Sequence, residues 1–81
     1  MQSKTRPVLA KAIETKPEAL IVITEHGSIA IPWEACSERL AKASPLERSR
    51  AELLASGYGI HWPLIDEDLA VGPLILTAAR T

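Results

Sequence analysis

The sequence is poor in aromatic residues and has no phenylalanine; its 81 residues include two tryptophans and one tyrosine. Its core must therefore be closed mainly by aliphatic side chains. Nearly half of the residues (47%) are apolar, which is typical of a folded domain and argues against intrinsic disorder. A domain of this size buries only about 60% of the surface that its unfolded chain exposes. We therefore expect a thin stability margin and a tendency to self-associate.

Cysteine, net charge and long apolar runs are equally scarce. Cys36 is the single cysteine, which excludes an intramolecular disulfide and a thiolate metal cluster. The formal net charge is only −1, so strong attraction of the whole molecule to nucleic acid or anionic lipid is excluded, although a local basic patch is not. No apolar run approaches the roughly 20 residues that span a bilayer, and the N-terminus lacks the pattern of a signal peptide. We expect a cytoplasmic protein without membrane contact.

The firmest structural prediction is a β-hairpin over residues 19–31. Its first half is β-branched and apolar, and Pro32 ends its second half. Gly27 suits the positive φ of a two-residue hairpin loop, and we expect His26 to adopt the same conformation at some cost.

Two short stretches predict further strands on weaker grounds. Residues 8–14 are compatible with a helix or a strand, and their length together with Pro17 favours a strand. Gly57 and Gly59 break any helix near residues 58–62, which are therefore predicted to be extended. Both glycines are assigned structural roles, as is Gly27 in the hairpin.

The apolar period changes after the hairpin and predicts two helices. Apolar residues recur every three or four positions over residues 33–43, as in one face of a helix: Trp33, Cys36, Leu40 and Ala43. Ser44, Pro45 and an acid three positions after the serine form a capping box, which predicts a second helix over residues 45–54. Its last part, residues 52–55, is also compatible with a strand. The hydrophobic section that follows the acidic residues is broken by Gly72 and Pro73.

These elements predict an α+β fold, with one small antiparallel sheet and two helices. We expect residues 1–81 to form a single domain without a linker or a separate DNA-binding domain.

The rarest residue types gather in residues 56–68, which read SGYGIHWPLIDED. Trp62 is compatible with a core anchor whose indole N–H reaches a carbonyl, and also with an interface anchor. His61 and the acids that follow it are compatible with a metal or acid–base site, with structural capping, or with a partner contact. Because neighbouring residues of a strand point to opposite faces, His61 and Trp62 should diverge. We therefore predict no catalytic residue, metal or cofactor.

The same stretch carries a family resemblance. Residues 57–63 (GYGIHWP), followed by residues 66–69 (DEDL), resemble the closing signature of the bacterial family DUF2442, a domain of unknown function. Other matching features follow in order along the chain: the turn at His26-Gly27, Pro32, Leu40-Ala41, Ala43-Ser44-Pro45 and Arg48. The sequence departs from the family pattern at His26, where Asp is more frequent, and residues 75–80 match only loosely.

The resemblance implies a small sheet with helices. It also implies a setting beside a second short gene, in arrangements that resemble toxin–antitoxin pairs. Some members carry a helix-turn-helix domain after this one, and we expect that DNA-reading part to be missing from a chain that stops at Thr81.

We therefore predict a non-enzymatic interaction module, the antitoxin-like or regulatory partner of another small protein. Its predicted contact residues are His61, Trp62, Asp66, Glu67, Asp68 and Leu69. The alternative is a transcription-linked module that dimerises and binds DNA through a basic edge of the helices, formed by Arg39, Lys42, Arg48 and Arg50. Homodimerisation and nucleic-acid binding both stay open at this point.

Overall fold

The structure is a computed structural model that describes residues 8–79. It confirms the predicted α+β class. The elements follow in this order: β1 (Ala12–Thr15), β2 (Ala19–Thr24), β3 (Gly27–Pro32), α1 (Trp33–Cys36), α2 (Glu38–Ala41), α3 (Pro45–Ser49), β4 (Glu52–Leu53), a 3-10 turn (Ala55–Gly57), β5 (Gly59–Trp62), β6 (Glu67–Ala70) and α4 (Val71–Ala79).

The strands form two antiparallel sheets where the sequence predicts one. The first sheet has the order β1-β2-β3, and the second has the order β4-β5-β6. The predicted hairpin over residues 19–31 is the β2–β3 pair, and the predicted strand at residues 58–62 is β5. The strand expected at residues 8–14 begins only at Ala12.

The hairpin turn differs from its prediction, because Glu25 and His26 form the two-residue loop and Gly27 already begins β3 opposite Thr24. Gly27 takes the positive φ, +123°, but His26 does not adopt a positive φ. The hydroxyl of Thr24 closes the turn instead, since Oγ1 accepts from the His26 N–H and donates to the Gly27 carbonyl, each at 3.0 Å. The side chain of Thr24 thus removes the need for a strained histidine.

Both predicted helices are shorter than the periodicity suggests. The helix predicted over residues 33–43 is interrupted at Ser37, whose extended backbone (φ −168°) and hydroxyl cap a new helix by accepting from Leu40 N at 3.1 Å. The helix predicted over residues 45–54 ends at Ser49, because the chain then pairs with β5 as β4. The alternative assignment of residues 52–55 to a strand was therefore the better one for Glu52 and Leu53.

The C-terminal section is helical, and its Gly-Pro pair does not break it. Gly72 and Pro73 lie in the first turn of α4. Proline is tolerated there because its missing N–H has no intrahelical acceptor in the first turn.

The two sheets meet at a core with two tryptophans at its centre. Trp33 and Trp62 make an edge-to-face contact, with ring centroids 6.3 Å apart. Fully buried aliphatic residues from both sheets and the helices surround them: Leu20, Val22, Ile31, Leu40, Ile60 and Val71. A backbone hydrogen bond of 2.9 Å from Ala10 N to Gly57 O joins the segment before β1 to the turn before β5.

Candidate functional site

The solvent-facing side of the second sheet carries a row of three ionisable residues. Glu52 of β4 lies opposite His61 of β5, and His61 lies opposite Asp68 of β6. His61 Nδ1 is 2.6 Å from Asp68 Oδ1, so the imidazole N–H donates to the carboxylate. The Asp68 side chain is 68% exposed, whereas that of His61 is 29% exposed. This row spans all three strands, and its one side-chain contact within residues 8–79 joins β5 to β6.

The edge of this sheet at β6 is acidic, and within residues 8–79 no further strand pairs with it. We define the acidic edge as Asp66, Glu67 and Asp68, of which both aspartates are exposed and Glu67 is half-buried. The β5–β6 ladder continues to a hydrogen bond of 2.9 Å from Val71 N to Tyr58 O. By the alternation of an antiparallel ladder, the backbone groups of Asp68 and Ala70 therefore point away from β5. The Ala70 C=O accepts the first hydrogen bond of α4, so the outward groups open to a further strand are the N–H and C=O of Asp68 and the N–H of Ala70.

A helix holds the turn that leads into the acidic edge. Arg39 of α2 donates to the carbonyls of Ile65 and Asp66, at 3.1 Å each. Asp66 itself has a φ of +53°, a conformation that aspartate tolerates better than most residues. The turn is thus fixed at its backbone, while the carboxylate of Asp66 stays exposed.

Residues 10–76, most of the chain, match the family described as protein of unknown function, DUF2442. The chain belongs to this family. Among solved structures, the DUF2442 protein is similar to a protein of unknown function from Rhodospirillum rubrum ATCC 11170, with 28% sequence identity over 88% of each chain and a TM-score of 0.76. No curated protein matches it. The resemblance that the sequence motifs indicated is confirmed at the level of the family.

Trp62 does not belong to the exposed surface of the DUF2442 protein. Its side chain is completely buried, and its indole N–H donates to the Arg48 carbonyl at 3.1 Å. The prediction of Trp62 as a contact residue must therefore be corrected, because β5 directs it into the core while directing His61 outward. Leu69, another predicted contact residue, is half-buried. It lies opposite Ile60 and packs against the core. The carboxylates and His61 remain as surface groups.

The four cationic residues of the predicted basic edge are used in different ways. The guanidinium of Arg48 donates to the carbonyls of Leu40 and Ala41, at 2.9 Å each, and lies 5.6 Å from the centroid of the Trp33 ring. Arg39 holds the β5–β6 turn, and Lys42 pairs with a glutamate one helical turn earlier, at 3.8 Å. Arg50 is exposed, and of the four side chains it alone makes no hydrogen bond or ion pair inside residues 8–79. The four do not form one free cationic edge, because the fold uses Arg48 and Arg39 to satisfy its own carbonyls.

The thiol of Cys36 is buried beside the carbonyl of Ile31, at 3.8 Å. Burial, with a smaller effect of Glu34 and against that of Arg48, raises the pKa of Cys36 to about 12. A thiol with this pKa stays protonated at neutral pH and is a poor nucleophile.

Within residues 8–79, no three histidine, cysteine or carboxylate side chains are grouped to hold a metal ion. In the same part of the chain, no helix is both long and apolar enough to cross a membrane.

Two surface residues of the DUF2442 protein escaped the sequence analysis. Glu52 joins the row of His61 and Asp68 only because β4 pairs with β5, and the two-residue length of β4 gives no periodic signal. Leu64 is 55% exposed beside Pro63, in the turn that precedes the acidic edge. The sequence signal for Leu64 was its place between Pro63 and the acidic triplet at residues 66–68.

Proposed function

We propose that the DUF2442 protein is a non-enzymatic, cytoplasmic interaction module that serves as the antitoxin-like or regulatory partner of another small protein. The observation that supports this proposal best is the acidic edge, where Asp66 and Asp68 expose carboxylates at the start of a strand that has no neighbour on its outer side within residues 8–79. The family resemblance adds to this support, since members of such families often sit beside a second short gene.

Strand addition is the binding mode that such an edge favours. An extended segment of the partner pairs with the outward N–H and C=O groups of Asp68 and with the N–H of Ala70, as in β-augmentation. Basic side chains of that segment pair with the carboxylates, which sets the choice of partner and accelerates association. Bound in this way, the domain covers a basic surface of its partner and masks it. The buried Trp62 contributes by fixing β5, on which β6 is built.

Co-expression with the product of the adjacent gene, followed by co-purification, tests the proposal. We expect the two proteins to purify as a complex whose affinity falls at least tenfold in the triple variant Asp66→Asn, Glu67→Gln, Asp68→Asn. These changes keep side-chain size, and asparagine tolerates the positive φ at position 66.

A matched control removes three exposed carboxylates elsewhere on the chain: Glu14→Gln, Glu18→Gln and Glu25→Gln. This variant should retain the complex with unchanged affinity. Failure of the wild-type chain to hold the neighbouring product, or equal losses in both triple variants, would contradict the proposal.

The alternative, a DNA-binding dimer with a transcriptional role, has less support. The side chains of Arg48 and Arg39 are engaged with backbone carbonyls and Lys42 pairs with Glu38, so Arg50 is the cation of the predicted set whose side chain has no partner within residues 8–79. The alternative predicts salt-sensitive retention of duplex DNA that weakens when Arg50 becomes Ala. Binding that is absent or insensitive to salt would remove it.

A further inference from the structure

The opposite edge of the second sheet, at β4, is also free. Leu54 N donates to Gly59 O at 2.9 Å, so these two residues form a hydrogen-bonded pair of the β4–β5 ladder. Glu52 and His61, two residues further along each strand, form the next hydrogen-bonded pair. The backbone groups of Ala51 and Leu53 must therefore point away from β5. Within residues 8–79, these groups have no hydrogen-bond partner. A strand edge of this kind is a template for pairing with another strand.

An apolar groove runs along this edge. Its volume is about 580 Å³, and it lies between α3 and the β5–β6 turn. Leu46 lines the groove from α3 and is 57% exposed, while Leu64 lines it from the turn and is 55% exposed. Two large aliphatic side chains on either side of an unpaired strand give an incoming strand apolar surface to cover.

The charges of this edge are complementary to those of the same edge in a second copy of the chain. Arg50 and Glu52 are both exposed, both line the groove, and are two residues apart in the chain. When β4 meets a second β4 in antiparallel orientation about a two-fold axis, Ala51 of each copy lies opposite Leu53 of the other. All four free N–H and C=O groups of these two residues are then used on each chain. In this register Arg50 of one copy is diagonal to Glu52 of the other, within reach of a long side chain.

We infer that the occupant of this groove is a second copy of the same chain, paired β4 to β4 so that the two second sheets join into one six-stranded sheet. The isologous arrangement buries Leu46 and Leu64 of both copies and forms two Arg50–Glu52 contacts between them. The two glutamates lie opposite each other at the axis and repel, and the two arginines offset this repulsion. The β6 edge is less suited to self-pairing, because residues 66–70 carry three acids and no cation that could offset their repulsion.

The dimer uses the β4 edge, which has no part in the proposed function. It leaves the acidic edge open at each end of the joined sheet for another partner. A dimer also suits a domain whose small core gives it a thin stability margin.

Charge reversal with rescue by mixing tests the pairing on the purified full chain. We expect the wild type to show a concentration-dependent monomer–dimer equilibrium in analytical ultracentrifugation. Arg50→Glu and Glu52→Arg should each raise the dimer Kd at least tenfold, because every contact at the axis becomes a like-charge pair. An equimolar mixture of the two variants should recover the dimer, as a heterodimer with the wild-type Kd or a lower one.

Control variants carry the same charge changes at the edge of the first sheet. Lys11→Glu and Glu14→Arg should leave the dimer Kd within twofold of the wild type, and Leu64→Ser should raise it at least fivefold. Circular dichroism verifies that each exposed substitution leaves the fold intact. A wild type that stays monomeric at millimolar concentration overturns the inference. So does a mixture of the two reversed variants that fails to associate, or a dimer that only the control variants disrupt.

Discussion

Gly57 is the residue at which the segment before β1 and the turn before β5 come into direct contact. Its φ is +75°, and a Cβ placed on it would lie 2.2 Å from the carbonyl oxygen of Ala10. An L side chain at this position is disfavoured both by the backbone conformation and by the lack of space.

We expect Gly57→Ala to lower the free energy of unfolding by about 2 kcal/mol or more, because the backbone of Ala10 must move to accept a methyl group. Gly72→Ala is the matched control, since nothing beyond its own chain neighbours lies within 4 Å of its added Cβ. Its effect should stay within about 1 kcal/mol, because the gain in helix propensity in α4 is offset by crowding between the new Cβ and the ring of Pro73. Urea unfolding measures both values, and equal effects of the two substitutions would show that the approach to Ala10 is not restrictive.

Arg48 illustrates a side chain whose charge is used for structure. It satisfies the carbonyls at the end of α2 and stacks over Trp33, while its own carbonyl accepts the indole N–H of Trp62. The sequence assigns Arg48 to a basic edge because spacing along a helix shows which side a residue occupies but does not show which carbonyls it reaches.

We expect Arg48→Ala to lower the free energy of unfolding by about 2–3 kcal/mol, from the loss of two charge-assisted hydrogen bonds and a cation–π contact. Lys42→Ala removes an exposed cation whose ion pair with Glu38 is also exposed, so its effect should stay within about 0.5 kcal/mol. Chemical denaturation of the two variants checks the difference. A loss of similar size for Lys42→Ala would indicate a general charge effect.

At the scale of elements, the start of α3 is the best-determined helix terminus in the sequence. Ser44 Oγ accepts from Glu47 N at 3.1 Å, and Glu47 Oε1 accepts from Ser44 N at 2.9 Å. The capping box that the sequence indicates is thus present with both hydrogen bonds. Because α3 has only five residues, its stability depends on its ends and its tertiary contacts.

We expect Ser44→Ala to lower the free energy of unfolding by about 1 kcal/mol, because it leaves an amide of the first turn without its side-chain acceptor. Ser28→Ala, at an exposed position of β3, removes a hydroxyl without removing a cap and should change stability by less than about 0.5 kcal/mol. Thermal and urea unfolding of the two variants measures the difference. No difference between them would mean that water replaces the cap without cost.

The elements that the sequence predicted less well are those in which tertiary pairing overrides local preference. The apolar spacing over residues 33–43 persists through Ser37, but the serine hydroxyl offers a cap that splits the stretch into two helices. The end of the helix predicted over residues 45–54 is similarly lost, because Leu53 gains a strand partner in Ile60. Neither effect is visible in a single stretch of sequence, since both depend on what packs beside it.

At the scale of the whole molecule, the class of fold and the family were accessible from the sequence, but the arrangement of the surface was not. The hairpin and the β5 signature indicate antiparallel strands, yet only the pairing shows that they belong to separate sheets. The same holds for the row of Glu52, His61 and Asp68, because three strands of unknown register cannot be aligned from composition. Alternation along β5 did predict that His61 and Trp62 point to opposite faces of the sheet. It thereby places His61 on the face of the exposed acids and Trp62 in the buried core.

Two sheets that share one core should unfold together. Trp33, which begins the helix after β3, contacts Trp62 of β5, and the Ala10–Gly57 hydrogen bond joins the segments that lead into β1 and β5. Neither sheet therefore retains a complete core alone. Ile31 of the first sheet and Ile60 of the second are both fully buried, which makes Ile31→Val and Ile60→Val a matched pair. Each substitution should cost about 0.5–1.5 kcal/mol.

Native-state hydrogen exchange at Val22 and Ile60, in the central strand of each sheet, distinguishes one cooperative unit from two. We expect the two amides to exchange with the same opening free energy, and either substitution to lower both values equally. If the first substitution affects only Val22 and the second only Ile60, the sheets unfold independently. Equal shifts would mean that a partner at either edge of the second sheet stabilises the first sheet as well, since binding to a cooperative native state raises the stability of all of it.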